Sequence, residues 1–589
     1  MERGGAMDEE LEEQQGLLKS SPSSYKKKKG GLKTMPFIIV NESFERLAST
    51  GLMPNMIFYL MNDYHMAAAS GSILLQSFSA ICNALALCGA FVADSYLGRF
   101  RVIAIGSVSS LLGMIVLWLT AMFPQVKPTP CEQYSRNCEP ATAMQLAILY
   151  SSFGLIAIGA GCVRPCSMAF GADQLNDKEN PNNEKTISSF FNWYYASTGI
   201  ATVLALVGIV YIQEQLGWRV GFAVPAILMV FSVLMFVLGS SLYVRIKSGN
   251  SLFTGFFQIL VASFKNRQIT LSPSNNDICY HQNPDKTIPG PSENLRFLNK
   301  ACVIRDPSSD LKPDGSASDP WSLCTVEQVE SFKVLLRIIP MWLSGIMLLI
   351  SIDQNFSTLQ AKSMNRRILF NIEFPAGSFS VVLVVTITIW VAFYDRIVVP
   401  FLARYAGMPR GISPKIRMGI GLVLSFIALG LAGIVENVRR GRAIEEGFDN
   451  IPGGVVEMSA MWLFPQFILL GLAEAFNAIG QIEFFYTQLP KSMSSIAVAL
   501  YTFGMALASL LSAFLIKIVD SVTSKGGNVS WLATNINQGH YDYFYWLIAT
   551  LNFLNLFYYL YCCWSFGSFE SRKNTEGIEE EEESYHRRH

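Results

Sequence analysis

The chain has 589 residues, of which 51% are hydrophobic and only 15% charged, against about 25% charged in soluble domains. Its 45 Lys and Arg balance its 45 Asp and Glu, so no basic footprint for nucleic acid is present. A positive mean hydropathy and 40 Phe exclude an ordinary soluble protein and point to an all-α membrane protein, one bundle able to use nearly the whole length.

Residues 1–34 form a tail that is acidic, then basic, without an apolar core, so it is not expected to be a cleaved signal peptide. Runs of about 20 apolar residues then mark spanning helices near 35–61, 72–93, 101–123, 143–165, 189–213 and 219–245, which together make an N-terminal bundle, 35–245. Residues 246–331 form a long polar linker rich in Pro, Ser, Asn and Asp, with one amphipathic stretch beginning at Leu252. A second set of spans follows near 332–353, 374–394, 413–435, 457–486, 494–518 and 541–565, giving a C-terminal bundle, 332–566, and a tail, 567–589, whose Glu579–Glu583 run predicts disorder. About twelve transmembrane helices in two six-helix halves, joined by a long central cytosolic loop, resemble the major facilitator architecture.

Positive charge orients such a bundle. Lys26–Lys29, Lys33, Arg99, Arg101, Lys178, Lys185, Arg396, Arg404, Arg410, Lys415 and Arg417 all fall in loops on one side, so both tails are expected in the cytosol. Arg439, Arg440 and Arg442 argue the other way. The Lys26–Lys29 run reads as an orienting signal, with anionic-lipid binding as a second reading. Asn528 opens an Asn-Val-Ser sequon in the last outer loop and is a candidate glycosylation site. Of the eleven Cys, Cys82, Cys88, Cys162 and Cys166 read as packing residues, Cys131 and Cys138 flank an outer loop as either a disulfide or two thiols, and Cys562 and Cys563 read as packing with palmitoylation as the alternative. No Cys/His spacing resembles a metal site, and no cofactor is expected.

Charge inside the spans carries the functional signal. Glu42, Glu45 and Arg46 lie in the first apolar run at i, i+3, i+4, so they share a helical face and Glu42 reaches Arg46 one turn on. A charge at mid-membrane costs about 2.5–3.5 kcal/mol, so three together must be paired, line a wet cavity, or both. Two acids facing one base leave a carboxylate free to carry a proton; the alternative is a buried ion pair that only fixes helix packing. Arg164 lies beside Gly161 and Pro165 in the fourth span and reads either as an anion contact or as a partner for the first-helix acids. Glu474 in the tenth reads either as a salt bridge between the halves or as a substrate contact. After the second span, Asp94, Gly98 and Arg99 suggest a tight turn and an ion pair that locks one conformation, and Asp395 and Arg396 repeat the placement after the eighth.

At these residues the chain resembles the plant nitrate transporter/peptide transporter family, within the proton-coupled oligopeptide transporters of the major facilitator superfamily. The resemblance runs from Gly30 to about Phe566 and rests on a combination of motifs. These are Glu42-x-x-Glu45-Arg46, Asp94-x-x-x-Gly98-Arg99, Phe170-Gly-Ala-Asp173-Gln174-Leu, Phe190-Phe-Asn192-Trp193-Tyr-Tyr and Phe484-Phe-Tyr-x-x-x-Pro490-Lys491. It implies proton symport, with Glu42, Glu45 and Arg46 as the proton-coupling element. Arg164 stands where the family usually has Lys, so titration falls to the carboxylates. Glu474 matches the helix-ten acid at the substrate cavity; with Arg164, Ile352, Asn192 and Asn477 it makes up the candidate substrate-binding or salt-bridge set. Two departures stand out: Ile352 occupies the place of a helix-seven His used for nitrate, and Val102 the place of a phosphorylated Thr. Within the family the chain looks most like a small plant clade of low-affinity nitrate carriers, some linked to gibberellin.

The expectation is therefore a plasma-membrane symporter, not an enzyme, in which a proton neutralises Glu42 or Glu45 and frees Arg46 or Arg164 for an anion such as nitrate. Accumulating an anion against the membrane potential, about 2.3 kcal/mol per charge per 100 mV, needs more than one proton each. A carrier of gibberellin, another organic acid or a peptide is the alternative, and a receptor without transport is the alternative from another class. An enzyme is disfavoured because His65, at the end of the first span, has no intramembrane His or Cys/His cluster beside it.

Overall fold

A computed structural model describes residues 30–588 except 131–138, 176–182, 246–251, 270–278, 283–289, 314, 353–354, 368–372, 406, 409–410 and 491–493. Cys131, Cys138, the Lys26–Lys29 run, Lys178, Arg410 and Lys491 lie outside the described residues. Gly30 and Gly31, with positive φ of 89° and 82°, lead into α1, Met35–Leu52, with Pro36 in the first turn where its missing N–H costs nothing. The single first span expected from sequence is interrupted: Pro54 ends α1 after Met53, and a short helix, Met56–Asn62, carries the chain on.

The other crossings are α2 Ala68–Val92, α3 Arg99–Met122, α4 Ala143–Leu175, α5 Asn183–Leu204 and α6 Val210–Leu238 in the first half. The second half has α7 Val326–Ile352, α8 Val381–Phe393, α9 Pro414–Glu445, α10 Phe464–Gln488, α11 Ser494–Thr523 and α12 Tyr541–Arg588. Ten runs among the described residues are apolar and long enough to cross a bilayer. The count becomes twelve for two physical reasons. One run, Lys185–Ser241, holds a reversal at Gly217, whose φ of 74° and ψ of 175° break α6 into an arriving and a departing arm. In addition α1, with its three charges, is too polar to score as a span on composition alone.

Close helix approach builds each half. Gly89 of α2 faces the Gly161 carbonyl of α4, Gly106 and Gly113 of α3 face Cys162 and Ile156, and Gly421 of α9 faces the Ala473 carbonyl of α10; a methyl group at any of them would collide. The glycines around Arg164 thus have the packing role expected of them, while α4 stays helical through Pro165 rather than opening there. The halves meet along α2 and α11, where the Ser79 and Ser509 hydroxyls are 3.1 Å apart.

Three features differ from the sequence expectation. The polar linker has its own core: the helix Leu252–Lys265 buries Ile259 and Ala262 with Leu298, Cys302, Cys324 and the start of α7. Two short strands, β1 Met364–Asn365 and β2 Val456–Ser459, pair in parallel at the end of the bundle away from the termini. Finally α12 continues to Arg588 through the tail expected to be disordered, because Glu is a strong helix former and the apolar span supplies the nucleus.

Candidate functional site

Arg164 lines a cavity that reaches from the N-terminal half to Asn355, and the first-helix charges cluster beside it. Glu42 and Glu45 are 1% and 0% exposed, whereas Arg46 and Arg164 are each 32% exposed. The acids therefore lie behind and the bases stand in front. Arg46 Nη2 is 3.7 Å from Glu42 Oε1, and Arg164 Nε is 3.9 Å from Glu45 Oε2. Both separations exceed a hydrogen bond, so each guanidinium attracts a carboxylate without clasping it. Arg164 Nη2 instead donates to Ser49 Oγ at 2.9 Å. The Tyr194 and Ser167 side chains stand beside Glu42, yet among the described residues no carboxylate oxygen of Glu42 or Glu45 makes a hydrogen bond. The charge of each acid is thus only partly compensated by its arginine.

Two chambers open beside this cluster. The first, about 320 Å³, is lined by Ser49, Thr50, Ser79, Cys82, Asn83 and Arg164, with Leu75, Phe78 and Ile156 as its apolar wall. The second, about 210 Å³, lies in the C-terminal half, between Ser351, Ile352, Ser380, Leu383, Leu429, Gln466, Phe467 and Tyr545. Met53, Pro54 and Asn355 line both, so the break in α1 forms the partition. Ile352 therefore lines the second chamber. Asn355, which sequence reasoning did not single out, faces both chambers.

The remaining site residues divide. Glu474 is partly exposed and lies near Tyr501, and among the described residues it has no ion-pair partner, so it bridges to nothing in the other half in this conformation. Asn192 is exposed on α5. Asn477 is 2% exposed and donates to the Met418 carbonyl at 3.3 Å, a contact between α9 and α10. Asn528 is exposed, while the Ser530 hydroxyl of its sequon donates to Asp520 at 2.6 Å. Among the described residues no cluster of three His, Cys, Asp or Glu could hold a metal.

The two loop motifs behave differently. Gly98, at φ 80°, ends the run from α2 and starts α3, which brings Arg99 Nε within 3.1 Å of Asp94 and Arg99 Nη1 within 2.7 Å of Asp173 on α4. Asp173 comes from the Phe170–Gln174 motif, so two motifs separated in sequence form one ion-pair network. The second half does not repeat it. Among the described residues Asp395 and Arg396 are exposed and unpaired, although the chain makes the same π-turn at Tyr394–Val398 as at Ala93–Leu97 before Arg99. Its counterpart is Arg417, paired to Glu483 at 2.7 Å and stacked 4.6 Å over the Tyr394 ring. Arg439 also departs from expectation. It is fully buried, bidentate to Glu436 with both bonds 2.8 Å, and bound to Asn537, so its charge is neutralised inside the fold and does not argue against the orientation.

The end of the cavity away from the termini is closed by a latch between the halves. Glu214, at the far end of the fifth crossing, takes Lys362 at 2.9 Å and Arg366 at 2.7 Å, and Arg366 also holds Glu373. Beside it the Ser378 hydroxyl donates to the Leu206 carbonyl at 2.6 Å and Gly377 packs on Pro54 and Asn55.

A twelve-helix bundle in two halves, with buried charge at a cavity between them and a latch across one end, is a membrane transporter of the major facilitator type. The POT family profile (PTR2) matches residues 100–532. Protein NRT1/PTR FAMILY 1.2 of Arabidopsis thaliana is 51% identical over 95% of this chain and 94% of its own length, and protein NRT1/PTR FAMILY 1.1 of the same plant is 51% identical over 93% of each. The crystal structure of an auto-inhibited POT family peptide transporter superposes with a TM-score of 0.66 over 90% of this chain and 96% of that one, at 19% identity, which speaks to the fold. The chain belongs to the POT family, among its plant NRT1/PTR members, and is a multi-pass transporter rather than an enzyme.

Proposed function

We propose that this protein is a proton-coupled symporter that moves nitrate with low affinity by alternating access, from outside the cell into the cytosol across the plasma membrane, with both termini cytosolic. The observation that carries the reading is the pair of buried, unclasped acids directly behind two half-exposed arginines. With Glu45 ionised, Arg164 is held by its attraction. A proton on Glu45 removes that attraction and leaves Arg164 facing the chamber as a fixed cation for an anion. Loss of the anion on the other side restores the ion pair and expels the proton. Glu42 and Arg46 form the second such pair, which gives the stoichiometry above one that an anion needs. The ordered basic residues at the terminal end support a cytosolic assignment for that end, and the Glu214 latch then belongs to the outer side, closed in this state.

The second chamber favours one further reading. A space of about 210 Å³ with apolar walls at Leu383, Leu429 and Phe467 exceeds what nitrate needs and suits the apolar skeleton of an organic acid. Peptides, the cargo of the auto-inhibited POT family peptide transporter that shares the fold, would use the same space. Uptake into oocytes of labelled nitrate, gibberellin and a dipeptide, each at two external pH values, tests the assignment. Saturable nitrate uptake that rises at acid pH is expected. Absence of nitrate uptake alongside acid-stimulated uptake of either organic cargo would overturn nitrate and keep proton coupling.

A further inference from the structure

Asn355 stands where the two chambers meet, beside Met53 and Pro54. It follows α7 and heads a short helix, Phe356–Lys362, at the position where an Asn side chain ordinarily accepts a hydrogen bond from a free N–H of the first turn. Here it does not. The Asn355 backbone is already helical, with φ −72° and ψ −16°, and the side chain makes no capping bond. Among the described residues the carboxamide has no other hydrogen-bond partner either. Several polar groups around the chambers are already committed. Ser49 accepts from Arg164, and Asn83 Nδ2 donates to the Ser79 carbonyl at 3.0 Å. Asn552 donates to the Ser351 hydroxyl at 2.6 Å, and the Ser380 hydroxyl donates to the Gly377 carbonyl at 2.9 Å. A half-buried amide with neither a cap nor a neighbour to bond is costly unless something that enters the chamber takes it up.

The rest of the chamber wall says what enters. Arg164 is the one cation among the residues that line the first chamber, and no Asp or Glu lines it. An oxyanion is drawn there by charge and still has oxygen lone pairs to satisfy once the guanidinium has taken its share. The Asn355 carboxamide offers two neutral N–H donors at the same chamber, on the C-terminal half. We propose that Asn355 is a cargo-contacting residue, whose side-chain N–H donates to the oxyanion that Arg164 attracts, so that one anion engages α4 of the first half and the segment after α7 of the second. This rests on the reading of the chamber as the path of an anion. The helix that Asn355 heads has seven residues and ends at Lys362, one of the two cations of the latch on Glu214, so cargo and latch act on the same short element.

The test compares the wild type with Asn355→Ala and Asn355→Asp in nitrate counterflow, with the full chain in proteoliposomes and no proton gradient, reading KM and maximal rate separately. Asn355→Ala should raise KM about tenfold, the worth of one hydrogen bond to a charged group, at an unchanged maximal rate. Asp caps a helix as well as Asn does, but it has no N–H to donate and adds a like charge, so Asn355→Asp should raise KM further. A wild-type KM in Asn355→Ala, or a wild-type KM in Asn355→Asp whatever Ala does, would overturn the contact; the second result would mark a helix cap instead. Because Asp preserves the cap, a folding defect confined to Asn355→Ala leaves the comparison intact. If the wild type carries no nitrate, the nitrate reading falls by itself and the same series is run with gibberellin, whose carboxylate needs the same donor. An unchanged KM there, or a wild type that carries neither anion, would overturn the contact as well.

Discussion

Replacing Glu214 by Gln should unlatch the end of the cavity away from the termini. Gln keeps the shape and one acceptor but loses the charge that holds two cations from the other half. Lys362 is 49% exposed and its pair is worth at most about 1 kcal/mol after screening. Arg366 is 7% exposed, and a hydrogen bond to a charged group at such a place contributes about 2 kcal/mol. Because the contact exists only in the closed arrangement, that figure transfers to the equilibrium between closed and open, about 30-fold toward open. Pulsed electron spin resonance between bio-orthogonal labels at Leu216 and Val455, both exposed and in opposite halves, reads it as growth of the longer-distance population. Glu373→Gln is the control, since Glu373 touches Arg366 from within the same half. An unchanged distance distribution in Glu214→Gln, or an equal change in Glu373→Gln, would refute the latch.

Other consequences are independent of transport. Arg439→Ala leaves Glu436 as an unpaired charge in the interior and should destabilise the protein by about 3–5 kcal/mol, seen as a lower midpoint in thermal unfolding in detergent, with Glu436→Gln/Arg439→Met recovering much of it. Burial pushes the Cys302 and Cys324 thiols up to about 12, so both stay protonated at pH 8 and should resist iodoacetamide in the folded linker while the exposed Cys279 reacts. The sign of the effect follows: these thiols bind protons more tightly folded than unfolded, so the linker core loses stability as pH rises above the ordinary thiol value of about 8.5. Peptide mass spectrometry after labelling at pH 8 and pH 10 checks both statements, and equal labelling of the three cysteines at pH 8 would contradict them.

The sequence makes some of this legible because cost forces meaning. Three charges on one face of an apolar helix have few explanations, and Glu42, Glu45 and Arg46 do come together with Arg164, which lines a cavity. Gly98 before Arg99 announces a turn, and the turn is there. What the sequence hides is pairing at a distance. Glu214 and Arg366 are 152 residues apart, both in polar surroundings where either would pass as a solvated charge. Arg439 looks like a loop cation until its fork closes on Glu436 one turn away. The repeat at Asp395 and Arg396 misleads because the same π-turn follows both spans, yet only the first half sets a distant acid, Asp173, against its Arg, and the second half pairs Arg417 with Glu483 over Tyr394 instead. Asn477, polar in an apolar helix, donates to a backbone carbonyl of the neighbouring helix, a partner that spacing does not reveal. The linker core escapes notice because its apolar residues are scattered among polar ones and converge only in three dimensions.

The central claim is that the acids behind Arg164 carry the proton. Its most direct measurement is nitrate accumulation in proteoliposomes under an inward proton gradient, compared with nitrate counterflow without a gradient, for the wild type and Glu45→Gln. The account predicts that Glu45→Gln loses gradient-driven accumulation and keeps counterflow, since Arg164 remains free to hold the anion. Wild-type accumulation with wild-type pH dependence in Glu45→Gln would contradict it.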